Sequence, residues 1–127
     1  MRQEFSIERQ DEESAAVLVL RGHLTADAAA RLLAEDPRPP DSSRPHLIVD
    51  LSELDGIDPA GLWALLRMRR DKATAHGRML IVTPIDPGSR LTLAQAGLAE
   101  IMPFCSSLAE ALVWLGRRVL SPNAAPS

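Results

Sequence analysis

With 127 residues, 46% of them apolar, the chain is long enough for one domain that buries about two thirds of the surface its unfolded form exposes. A net charge of -3 gives no electrostatic reason to expect nucleic acid or an anionic membrane as partner. The longest apolar runs, Ala15 to Leu20 and Leu62 to Leu66, fall far short of the roughly 20 residues that a bilayer span needs, so no membrane insertion is expected.

In chain order, Phe5 and Ile7 alternate with polar residues, RQDEES reads as a charged turn, and AAVLVLRG follows. These predict a hairpin of strands 4–9 and 15–22, the first at an edge and the second, apolar on both faces, inside the sheet. Thr25 is placed to cap a helix carrying Ala29, Leu32 and Leu33 and ended by Pro37. PRPPDSSRP, 37–45, then reads as an extended loop. His46 to Leu51 is a buried strand, and the apolar period changes across Leu51 to Asp58. A helix from Pro59 to about His76 follows, with the Asp58 carboxylate as N-cap, Pro59 at its first position and Gly77 past its end. Leu62, Leu65, Leu66 and the stem of Arg69 are expected to face the sheet.

Met79 to Thr83 gives the next strand, and Asp86-Pro87 opens a helix closed by Gly97. Ile101 to Phe104 is a short strand. Ser107 and Glu110 have capping-box spacing and open a last helix with Leu108, Ala111, Leu112, Leu115 and Val119 on one face. SPNAAPS reads as a frayed tail, which sets the expected domain at 1–120 and the tail at 121–127. Strands and helices alternating after an initial hairpin predict an α/β domain: a mostly parallel sheet with an antiparallel N-terminal edge strand, covered by about four helices.

Catalytic chemistry is not written in the chain. His23, His46 and His76 lack metal-ligand spacing, Cys105 reads as a small core residue, and no nucleophile elbow, P-loop or dinucleotide fingerprint occurs. A non-enzymatic protein without metal or cofactor is expected. Asp50, at a strand end, invites comparison with phospho-acceptor receiver domains, but the acidic pair and the late lysine of that pattern are missing. Asp50 is expected instead to bond backbone groups near a loop at 54–57. A single cysteine and MRQEFSIERQ, which has no secretory-signal pattern, point to the cytoplasm.

Arg67, Arg69, Arg70, Lys72 and Arg78 are five of the 14 basic residues, a concentration that suits a solvated helix face or an acidic partner. Helical spacing sets Trp63 with Arg67, Arg70 and Thr74 on the outward face, where Trp63 either anchors a partner, or packs under the 37–45 loop or covers a neighbouring strand end. Trp114 is expected to seal the core boundary.

RGHLT at Arg21 to Thr25, LIVDLSELDGID at Leu47 to Asp58, Gly61-Leu62, GRMLIVTP at Gly77 to Pro84, AGL at Ala96 to Leu98 and SLAEAL at Ser107 to Leu112 form an ordered series. In this series the chain resembles the STAS domains, which include bacterial anti-sigma factor antagonists. The resemblance implies the same α/β fold and a partner surface at Asp58, Pro59, Ala60 and Gly61, flanked by His23 and Thr25, with Trp63 and Arg67 beside it. Regulated members of the family carry a phosphorylatable Ser or Thr directly after the aspartate. Here the pattern is D-P-A-G, so Pro59 and Ala60 leave no hydroxyl to modify. The partner that the resemblance implies is an anti-sigma factor of the kinase-like kind; the alternative is an ATPase subunit of a transporter or a signalling scaffold. A third reading is an anion or nucleotide at the Asp58 helix start.

Overall fold

The computed structural model describes residues 4–12, 15–35, 46–74 and 77–120. Five strands, β1 (Ser6–Glu12), β2 (Ala15–Leu24), β3 (His46–Ile57), β4 (Met79–Val82) and β5 (Phe104–Cys105), lie side by side in chain order. β1 pairs antiparallel with β2, and every later pairing is parallel. Four helices are described: α1 (Ala26–Glu35), α2 (Pro59–Thr74), α3 (Pro87–Gln95) and α4 (Leu108–Leu120). The α/β class and the antiparallel edge expected from the sequence are therefore present.

Alternation along the central strands builds two cores. Ala16, Leu18 and Leu20 of β2 join Leu47, Val49 and Ile81 under α1, α2 and α3. Ala15, Val17 and Val19 point the other way, with Ile48, Leu80, Val82 and Cys105, toward Ala111 and Leu115 of α4. Sequential parallel strands joined by right-handed crossovers put every crossover helix on one face, which leaves the opposite face to α4. The outer strand β1 is dominated by Glu8, Arg9, Asp11 and Glu12, charges that discourage edge-to-edge pairing. Arg21 of β2 ties the sheet laterally, donating to Glu8 on β1 and Glu53 on β3 at 3.0 Å each. These contacts raise the Arg21 pKa, Glu53 contributing most, and bonds from Gln10 and Arg21 lower that of Glu8.

Three boundaries differ from the expectation by three residues or more. β1 continues through the acidic stretch to Glu12, because each of its residues gains a partner on β2. β3 runs six residues further, to Ile57, and absorbs two extra residues opposite β2, between Val19 and Arg21 and between Gly22 and His23. Gly22 sits at the second irregularity with φ 93, a region that glycine reaches without strain. Because of the first irregularity Leu51 and Leu54, three apart rather than two, both enter the same core. Asp50 stabilises that point: its Oδ1 accepts from the Ser52 N–H at 2.9 Å, not from groups at 54–57. Finally, Gly97 (φ 74) starts a 3-10 turn at Leu98–Glu100, which delays β5 from 101 to Phe104.

Local caps follow the sequence closely. Thr25 Oγ1 accepts from the Ala28 N–H, and Asp86 Oδ2 accepts from the Ser89 N–H and hydroxyl behind Pro87. Ser107 Oγ accepts from the Glu110 N–H, while the Glu110 carboxylate reaches back to the Ser106 N–H and hydroxyl. Leu108, Ala111, Leu112 and Leu115 lie on the core side of α4; Val119, the 37–45 loop and the 121–127 tail lie outside the described side chains and residues. Cys105 is buried, and burial, with Glu110 nearby, pushes its thiol pKa up. Trp114 is half-buried against the second core with the Arg78 guanidinium 5.7 Å above its ring.

His46 at the start of β3 is buried, and its Nδ1 accepts from the Arg78 N–H at 3.1 Å. That bond needs an unprotonated Nδ1. Burial first and the Arg78 charge second hold the His46 pKa below its ordinary 6.5. The unfolded chain therefore takes up the proton at a higher pH than the folded one, so the contribution to stability is complete above 6.5 and declines on acidification until the folded value is passed. Urea unfolding at about pH 7.5 and 5.5 should show the wild type losing more stability than His46→Gln, which lacks this proton linkage. Parallel losses in the two proteins would show that His46 does not carry it.

Candidate functional site

The candidate site is the turn from β3 into α2. The Asp58 N–H donates to the Leu24 carbonyl at 3.0 Å, which pins the turn to the end of β2. The Asp58 carbonyl then accepts from the N–H groups of Gly61 and Leu62 at 2.9 and 3.2 Å and starts the helix. Contrary to expectation, the exposed Asp58 carboxylate makes no cap bond among the described residues, in contrast to Asp86 on α3. A free carboxylate here also works against an anion at this helix start.

Gly61 explains how the helix sits. A Cβ at this position would lie 2.7 Å from Leu24 Cγ and 2.8 Å from the Leu24 carbonyl oxygen, so α2 rests directly on the end of β2. Gly61 is buried and thus supports the surface from beneath rather than forming part of it. The contact also sets the rotation of α2. Its inward residues are Gly61, Ala64, Leu65, Met68 and Lys72, with Leu62 partly buried beside them. Leu66, expected inside, is 36% exposed, and Lys72, counted with the outward cations, is 5% exposed. Arg69 is half-buried, donating from Nε to the Ile101 carbonyl at 3.1 Å.

Outside, Asp58 and Pro59 are exposed and Ala60 is half-buried. Trp63, one turn on, is 73% exposed, and the 37–45 loop it was weighed against lies outside the described residues. Leu66 and the exposed Arg67 continue the ridge. Arg67 pairs with no carboxylate among the described residues. The two flanking residues differ in kind. Thr25 is a half-buried cap for α1. His23 lies against Gly56, where a Cβ would come within 2.4 Å of its Nε2, and its Nδ1 is buried without a partner among the described residues. The structure thus brings Asp58, Pro59, Ala60, Trp63 and Arg67 onto one surface and turns Gly61 and Thr25 to structural work. Leu66 was missed because in a Leu65-Leu66 pair only the helix phase decides which one is inside.

Among the described residues no three His, Cys, Asp or Glu side chains converge as a metal site, and no helix is long and apolar enough to cross a membrane. A search of curated proteins gives no significant match. Solved structures do match. An anti-sigma factor antagonist from Mycobacterium paratuberculosis is 19% identical with a TM-score of 0.68, covering 87% of this chain and 93% of its own. The Bacillus cell fate determinant SpoIIAA in its phosphorylated form is 21% identical with a TM-score of 0.67, covering 88% and 99%. Part of the murine anion transporter Slc26a9 is 15% identical with a TM-score of 0.64, covering 83% of this chain and 18% of the transporter. At these identities the likeness is one of fold. The family profile described as "Mlab, STAS domain" matches residues 7–108, and with that match over most of its length the chain belongs to the STAS domain family.

Proposed function

We propose that this protein is a non-enzymatic cytoplasmic docking module, an anti-sigma factor antagonist that binds a kinase-like anti-sigma factor through the start of α2 and lacks a phosphate switch there. The observation that carries the proposal is the surface itself: Asp58 and Pro59 exposed beside a tryptophan that is 73% exposed, with no hydroxyl at position 59 or 60. An exposed Trp flanked by Arg suits a hot spot, because such side chains dominate binding energy when a partner desolvates them. SpoIIAA, solved in phosphorylated and unphosphorylated forms, illustrates a relative that does carry phosphate. A phosphate adds about -1.5 to -2 charge, and a patch that cannot receive it keeps its charge constant.

The test is incubation with the anti-sigma factor and ATP, followed by calorimetry and mass spectrometry. Binding unchanged by ATP, with residues 58–61 unmodified, is expected; phosphate on any of them would reject the reading. Pro59→Ser with Ala60→Ser should make the same site phosphorylatable and ATP-sensitive. A second reading, an adaptor contacting a transporter ATPase subunit, is favoured by the occurrence of this fold within a transporter chain. Capture of such a subunit, rather than an anti-sigma factor, by the wild type but not by Trp63→Ala would select it.

A further inference from the structure

A pocket lies well away from the α2 start, ten residues or about 15 Å along the helix, at the end of the sheet where β4 begins. Its volume is about 180 Å³, and Arg69, Arg78, Met79, Ile101, Met102 and Trp114 supply most of its wall. Met79 and Met102 are buried, and Trp114 is half-buried, so these walls are apolar and firmly held. Both polar side chains are guanidiniums. Arg69 uses Nε on the Ile101 carbonyl, which leaves its terminal nitrogens unspent. The Arg78 guanidinium lies 5.7 Å from the centre of the Trp114 ring, within cation–π range, and its backbone is fixed by the bond to His46. Neither guanidinium is paired with a carboxylate among the described residues, and Glu110, one turn from Trp114, is engaged by Ser106.

We propose that this pocket binds a small organic anion, a carboxylate on a compact apolar body, with Arg69 and Arg78 holding the carboxylate and Trp114, Met79 and Met102 covering the body. Two guanidiniums lining one largely apolar hollow favour an anion as its occupant. The planar fork of a guanidinium matches a carboxylate in bidentate geometry. The volume is below the about 300–1,000 Å³ usual for drug-sized ligands, which restricts the occupant to something near benzoate in size. This site is independent of the docking surface, and the two proposals can fail separately.

Benzoate is the probe. The chain has two tryptophans and no tyrosine, so Trp63→Phe leaves Trp114 as the reporter of emission. At constant ionic strength, benzoate should change that emission saturably, with a dissociation constant of about 1 mM or tighter. Arg69→Gln and Arg78→Gln, each checked for fold by circular dichroism, should weaken it about tenfold. Arg69→Lys, which keeps the charge without the fork, should weaken it as well and serves if a glutamine variant fails to fold. Benzyl alcohol, lacking the charge, and inorganic phosphate, lacking the body, should bind about tenfold more weakly than benzoate. A non-saturating response, an affinity unchanged in both arginine variants, or equal binding of either control would overturn the proposal.

Discussion

Gly61→Ala should lower the unfolding free energy by about 1–3 kcal/mol, the usual range for forcing an extra methyl group into a packed site. A helix interior would ordinarily gain about 0.5–1 kcal/mol from the same change, through reduced freedom of the unfolded chain. Here the steric term wins. The added Cβ would meet the Leu24 carbonyl at 2.8 Å and the Leu24 side chain at 2.7 and 2.9 Å, and Leu24 is itself fully buried. The backbone of β2 cannot retreat without breaking the Asp58 to Leu24 bond that holds the turn. Gly116 on α4 is the control, because a Cβ there meets nothing within 4 Å. Denaturant titration should therefore place Gly116→Ala at or above wild-type stability and Gly61→Ala clearly below it. Similar stabilisation in both would show that α2 does not rest on Leu24.

Trp63→Ala should leave the fold unchanged and weaken binding of the anti-sigma factor by about 2 kcal/mol or more, roughly 30-fold in dissociation constant. The separation of the two effects follows from exposure: a side chain 73% accessible contributes little to the monomer core but has most of its surface still to bury against a partner. Thermal unfolding and calorimetry on the same preparation decide it. An unchanged affinity would remove Trp63 from the interface, whatever happened to the rest of the patch. Arg67→Ala should cost less, because an exposed charge at the margin of an interface acts mainly on association rate and salt dependence.

Local chemistry made much of this molecule legible. Thr25, Asp86 and the Ser107/Glu110 pair form their caps because the interacting atoms are at most four residues apart, and no distant part of the chain need be known. The apolar runs at Ala15 to Leu20 and Leu47 to Val49 announced strands buried on both faces for the same reason. The absence of a phosphate acceptor at Pro59 and Ala60 is likewise a property of residue type alone.

Contacts between distant segments settled the rest. The β3 strand outlives its simple alternation because two irregularities let it keep bonding to β2, and nothing in residues 51–57 alone reveals that partner. The Asp58 carboxylate, which by type should cap α2, stays in solvent while the main chain does the anchoring through Leu24. The rotation of α2 depends on Gly61 meeting a strand end 37 residues earlier in the chain, and a shift in phase of this kind exchanges Leu66 for Lys72 between surface and interior. Sequence by itself determined the order of the strands and main helices, the caps of α1, α3 and α4, and the lack of a hydroxyl at positions 59 and 60. Only the tertiary structure decided which face of that helix is presented, because helical phase is fixed by what the helix packs against and not by the helix.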